Sequence, residues 1–196
     1  QNKATLQNYL ADPLNETGDL IDYRDNGTWS YAAGEFASAY NSSLMDKVVR
    51  ELAWIGERYL VVVDNVVMDG TDYLPAVMWH YAATPQLEQG RFTVSDGGGK
   101  AVVTVLSPPG ASIDTVAAYK LRSLSYPPPD PQPEHGTGRV EVSATVSSSQ
   151  GYTFVEVIEI TDGSVVTAVP VLETDPQSGA ISIVLPEGTL YLAGEP

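Results

Sequence analysis

From Gly18 onward, apolar and polar residues alternate in short runs, the period of a strand with one buried face. "DLIDYR" (19–24), "TWSYAA" (28–33) and "EFASAY" (35–40) follow this rule, with turns at Asn26-Gly27 and at Ala32–Gly34. "MDKVVRELAWIG" (45–56) fits two periods: Val48, Leu52 and Ile55 share a helical face, while Val48, Leu52 and Trp54 share a strand face that Arg50 interrupts. The β-branched run "YLVVVDNVVM" (59–68) follows directly and favours the strand. "MDGTDY" reads as a turn and "YLPAVMWHYAA" (73–83) as the return strand of an antiparallel hairpin. Pro75 has no N–H to give, so that strand should begin on an edge or at a bulge. "GRFTVSDGGGKAVVTVLSPPG" (90–110) reads as a second hairpin around "DGGG", and "SIDTVAAYKLRSLSY" (112–126) as a further strand.

Residues 126–138, "YPPPDPQPEHGTG", carry five prolines, which suit extended polyproline geometry and exclude a central strand. The stretch reads as a linker or as a crossing between sheets. Beyond it come five runs of strand character: "GRVEVSATVSS", "YTFVEVIEI", "SVVTAVPVLE", "AISIVLP" and "TLYLAG". The expected fold is all-β, an antiparallel β-sandwich of stacked sheets with a smaller C-terminal meander or sandwich part. The expected organisation is an irregular or short helical lead-in (1–17), a main sandwich portion (18–125), the proline-rich connection (126–138) and a C-terminal strand portion (139–196).

Charge narrows the partners. The net charge is −15 and the pI about 4.2, so a nucleic-acid face, which needs clustered cations, is excluded, and docking on anionic lipid is disfavoured. There is no cysteine, hence no disulfide framework or cysteine zinc site. No apolar run reaches the length of a membrane span, and residues 1–20 lack a signal core. The start, "QNKATLQNYLADPLNETG", reads as the inside of a longer chain or a processed end.

Candidate chemistry is sparse. His80 lies between Trp79 and Tyr81 in a strand, and a structural role outweighs an acid or ligand role because no confirming constellation accompanies it. His135 lies in the proline-rich stretch and is expected to be exposed. Asp64, Asp69 and Asp72, around "DNVVMDGTDY", are hard oxygen donors that would suit calcium, although a solvated turn explains them as well. "DYRDNG" (22–27) opens like a calcium loop, but Ala33 stands where the closing glutamate belongs. Trp29 with Tyr31, and Trp79 with Tyr81, share strand faces and are the candidates for stacking on sugar, with core packing the commoner use of such rings. Asn15, Asn26 and Asn41 head glycosylation sequons. Phosphate-cradle and nucleophile-elbow motifs are absent.

The order of the pieces resembles the carboxyl-terminal β region of heparinase II/III-like polysaccharide lyases. "SYAAGEFASAY" (30–40), "VVRELAWIGERYLVVVDNVV" (48–67), "VMWHYA" (77–82) and "GRVEVSATVSSSQGYTFVEVIEI" (138–160) carry the resemblance, with Arg50, Asp64, Trp79, Phe154, Val155 and Val157 at matching places and His80 displaced by one. The match runs from about residue 18 to 193. It implies an α/α toroid followed by stacked antiparallel sheets, and cleavage of an acidic polysaccharide by β-elimination. The family's catalytic tyrosine and histidine, and the zinc ligands of several members, lie in the toroid and early in the β region. Its His-x-His and His-Asn motifs would precede residue 1, so no catalytic residue is carried over and no cofactor is expected on this chain.

The expectation is thus a carboxyl-terminal β portion of an exported (secreted or periplasmic) heparinase II/III-like protein, structural or cleft-supporting, with the amino-terminal toroid as its partner. A freestanding carbohydrate-binding or cell-surface β-sandwich is the alternative, and an intact enzyme with an unfamiliar site is the third class.

Overall fold

A computed structural model of the chain describes residues 18–40, 44–70, 73–81, 83–117, 119–121, 124–126, 138–162, 169–177 and 180–192. In chain order the first strands are β1 (Asp19–Asp25), β2 (Trp29–Glu35), β3 (Met45–Ile55), β4 (Tyr59–Met68), β5 (Ala76–Tyr81), β6 (Gln86–Glu88), β7 (Arg91–Asp96) and β8 (Gly99–Ser107). They are followed by β9 (Ser112–Ala117), β10 (Tyr119–Leu121), β11 (Leu124–Tyr126), β12 (Gly138–Ser143), β13 (Tyr152–Thr161), β14 (Val171–Thr174), β15 (Ile181–Leu185) and β16 (Gly188–Leu192). The expected all-β, stacked-sheet architecture is met.

The centre is an eight-stranded antiparallel sheet in the order β1-β2-β3-β4-β13-β8-β7-β6. β4 and β13 lie side by side in its middle, Phe154 opposite Asp64 and Val157 opposite Val61. Both strands read as near-continuous apolar runs because both of their faces are covered. On one face Val62, Phe154 and Ile158 meet Val77, Val140 and Val142 from a three-stranded sheet, β5-β12-β9. On the other, Val61, Val155 and Val157 meet Ile183 and Leu185 of the meander β14-β15-β16. The chain therefore stacks three layers, with the β-branched residues of β4 and β13 feeding two cores at once. The expected C-terminal meander is this last layer.

Residues 45–56 hold the expected strand, and β3 and β4 form a hairpin through the turn at Gly56, whose φ of 57° suits glycine. The β7–β8 hairpin is also found. The expected hairpin between residues 59–68 and 73–83 is not: β4 pairs with β3 and β13, whereas β5 pairs with β12 in the covering sheet. The reason is that β4 is apolar on both faces and needs a layer over it, and β5 supplies part of that layer by placing Val77 in the core. β5 is an edge strand, as Pro75 requires, and Pro75 uses its carbonyl to accept from the Ala144 N–H at 3.1 Å.

Residues 1–17 and 127–137, with the lead-in and most of the proline-rich stretch, lie outside the described residues. The strands on either side of that stretch share sheets: β12 lies between β5 and β9, and β13 between β4 and β8.

Candidate functional site

The second covering sheet leaves one end of the central sheet bare, and a groove of about 500 Å³ runs between them. Its floor is the central sheet's face, with Ala53 of β3 and Val61 and Val63 of β4. One wall comes from β1 and β2, with Arg24, Trp29 and Tyr31. The other is β16 and the turn before it, which carries Glu187. Trp29 and Tyr31 share this face because they alternate along β2, as the sequence pattern requires. Tyr191 projects from the far wall and is 77% exposed.

A chain of polar contacts crosses four strands on the same face. The Tyr31 hydroxyl donates to Glu51 Oε2 at 2.7 Å, the Asn65 amide donates to Glu51 Oε1 at 3.4 Å, and the Thr153 hydroxyl donates to Asn65 Oδ1 at 2.8 Å. Burial, then the hydrogen bond to Glu51, holds the Tyr31 phenol protonated well above its ordinary range. Tyr31 is therefore a hydrogen-bond donor to Glu51 rather than a general base. Among the charged lining residues are the carboxylates of Asp22, Glu51 and Glu187 and the cation Arg24, which is already paired with Asp22 at 2.7 Å. The groove is acidic at the rim and apolar beneath.

A second cluster lies on the opposite face, under the β5-β12-β9 sheet. Arg50 donates from Nε to Asp64 Oδ1 at 2.7 Å and from Nη2 to Asp64 Oδ2 at 2.8 Å. Two residue pairs along the ladder, on the same face, Glu156 of β13 is completely buried. Its two carboxylate oxygens and the Trp79 indole N–H are buried without a hydrogen bond among the described residues. Burial pushes the Glu156 carboxyl up to about 7; the nearby indole and Arg50 draw it down, and Asp64 pushes it further up. The indole thus sits near enough to favour the carboxylate but not aligned to donate to it.

The sequence candidates separate. Trp29 and Tyr31 line the groove, whereas Trp79 and Tyr81 turn inward against the core below β5. His80 is exposed on the outer face of β5, opposite Arg139 on β12, and does not line the groove. Asp64 is buried in its pair with Arg50, Asp69 lies exposed in the turn after β4, and Asp72 and His135 fall outside the described residues. Asn26 accepts from the Thr28 and Trp29 N–H groups, capping the β1–β2 turn, while Asn15 and Asn41 are not described. Among the described residues no group of three His, Asp or Glu side chains is placed to hold a metal ion.

Glu51, Glu187, Tyr191 and Glu156 were not singled out from the sequence. For Glu156 a signal existed: "TFVEVIEI" places Glu156 and Glu159 three residues apart, on opposite faces of a strand whose other residues are apolar. Two carboxylates on two apolar faces must both be buried, and both are. Glu159 pairs with Arg58.

No protein-family model and no curated protein matches the sequence. Solved structures do match the fold. Heparan sulfate lyase HepC from Pedobacter heparinus aligns with a TM-score of 0.64 and 10% identity, over 89% of this chain and 27% of that one. A heparinase III aligns with a TM-score of 0.60 and 15% identity, again over 89% of this chain and 27% of its own. This chain therefore spans about a quarter of the length of these lyases, and over that part it has their fold, which is the likeness that the strand order of its sequence pointed to.

Proposed function

We propose that this chain is the carboxyl-terminal β portion of a heparinase II/III-like protein, an acidic-polysaccharide lyase acting by β-elimination. In this reading the portion supports the substrate cleft, and an amino-terminal α/α toroid supplies the catalytic base and acid. The observation that carries it is the fold match over 89% of this chain and 27% of each lyase. The groove's chemistry supports the same division. A polyuronate needs cations to neutralise its carboxylates and a base to take the C5 proton. The groove offers an acidic rim and a tyrosine held protonated. An enzyme acting on such polymers works where they occur, so the protein is assigned to the cell exterior or periplasm.

The test is ultraviolet absorbance of the unsaturated uronate product. Residues 1–196 are incubated with heparan sulfate, heparin, hyaluronan and alginate, alone and as part of the longer polypeptide encoded around them. Product formed only by the longer polypeptide supports the proposal. Product formed by residues 1–196 alone, and lost in His80→Ala, overturns it and puts His80 in an active site. A longer polypeptide with no helical domain and no lyase activity, together with binding of neutral oligosaccharides by residues 1–196, would favour the freestanding carbohydrate-binding reading instead.

A further inference from the structure

All five residues of β16, Gly188 to Leu192, line the groove. Side chains alternate between the faces of a strand, so a groove that met one face of β16 would be lined by every second residue. Lining by five in succession means that the groove runs along the strand's edge, where backbone N–H and C=O groups project. β16 is the terminal strand of its sheet in the order β14-β15-β16, so among the described strands that edge has no partner. Unpaired edges of this kind are where extended peptides add to a sheet.

We propose that the groove is a strand-addition site for an extended peptide segment that alternates apolar and basic residues. The segment extends the β14-β15-β16 sheet by one strand beside β16, over about five residues, the length of β16 itself. Its apolar side chains rest on Ala53, Val61 and Val63. Its basic side chains lie along the rim, where Glu187 lines the groove, while Glu51 already accepts from Tyr31 and Asn65 and Arg24 is occupied by Asp22. Trp29 and Tyr191 flank the path and offer ring faces to the same cations.

The charge pattern selects this occupant over the two obvious competitors. An acidic segment or a polyuronate would meet three carboxylates across one already paired arginine. A neutral sugar would leave its hydroxyls over a floor of valine and alanine with few donors or acceptors to receive them. The proposal does not rest on a lyase role for the parent protein, because the edge, the floor and the rim all belong to the described residues.

The test uses the chain as it stands and a fluorescein-labelled peptide of alternating valine and lysine. Three comparison probes are an alternating valine–glutamate peptide, the valine–lysine peptide with every second backbone nitrogen methylated, and an oligomer of N-acetylglucosamine, which is neutral. Saturable binding of the valine–lysine peptide is expected, with the valine–glutamate peptide and the neutral oligomer not binding. Loss of two backbone hydrogen bonds through methylation should weaken binding about tenfold or more. Glu187→Gln should weaken it about two- to fivefold, the scale of one partly exposed ion pair. The methylated probe requires no change to the protein, so a variant that fails to fold does not blunt the test. Equal binding of the methylated and unmethylated peptides overturns strand addition in favour of charge attraction alone. Absence of peptide binding, or tighter binding of the neutral oligomer, overturns the proposal altogether.

Discussion

Arg50 and Asp64 stand directly opposite each other on β3 and β4 and close a two-pronged ion pair, Nε to Oδ1 at 2.7 Å and Nη2 to Oδ2 at 2.8 Å. The carboxylate side is 4% exposed and the guanidinium side 43%. Asp64 is thus deep enough to need its partner, and Arg50 is wet enough to screen part of the attraction. Both lie on the face that carries Phe154 and Glu156.

Asp64→Ala should destabilise the fold by about 1–3 kcal/mol, less than a fully buried pair because Arg50 reaches water. Urea denaturation of the single variants and of Arg50→Ala with Asp64→Ala gives the coupling directly. A double variant whose loss equals the sum of the two single losses would mean that the pair contributes nothing.

Glu156 makes stability fall as pH rises. Its folded pKa, about 7, lies above the 4.5 of a glutamate in water, so between these values the folded state holds a proton that the unfolded chain has released. The contribution is fully present below about 4.5 and is lost as pH rises through about 7. The loss amounts to roughly 3 kcal/mol. Glu156→Gln keeps the shape and removes the ionisation. It should be more stable than the parent at pH 8 and should flatten this part of the profile in denaturant melts. An unchanged pH profile in the variant would show that Glu156 does not govern the dependence.

Gly138 has no room for a methyl group. A Cβ there would lie 2.6 Å from the Tyr81 hydroxyl oxygen and 2.7 Å from the Val116 carbonyl oxygen. The tyrosine could turn away, but the carbonyl belongs to the neighbouring strand β9. Gly138→Ala should therefore destabilise by about 1–3 kcal/mol. Adding Tyr81→Phe should not restore the melting temperature, since the backbone contact remains. Full recovery in the double variant would place the conflict at the hydroxyl alone.

Phe154 is completely enclosed between the central sheet and β5-β12-β9. Phe154→Ala should lower stability by about 3–5 kcal/mol through lost burial and an unfilled cavity. Calorimetry should then find a markedly lower melting temperature. A loss under about 1 kcal/mol would mean that the layers close over the gap.

The β-branched runs of β4 and β13 made those strands legible, and Trp29 and Tyr31 could be placed on one face from their spacing alone. What failed was pairing. The chain between Met68 and Ala76 looks like a hairpin turn, but it carries the chain from one layer to another. The groove was half visible for the same reason: β2 announces its aromatic face, while Glu51 and Tyr191 reach it from other strands and Glu187 from the turn before β16. Nothing local marks them as its neighbours.

By itself the sequence determined most of the strands and which of their residues share a face, because side-chain alternation is a property of the extended backbone and needs no partner; it misled where the turn expected at Ala32–Gly34 lies inside β2 and the strand expected at 35–40 is a 3-10 helix over Ala37–Ala39. It also determined that β4 and β13 require cover on both sides, since neither has a polar face to give to water. Only the tertiary structure decided that they cover each other's flanks, with Val61 beside Val157 and Asp64 beside Phe154. Pairing between segments so far apart is set by the total area the layers bury and by the register that brings Glu159 of β13 to Arg58 beside β4. Such terms are summed over the whole stack of sheets, and no short stretch of residues contains them.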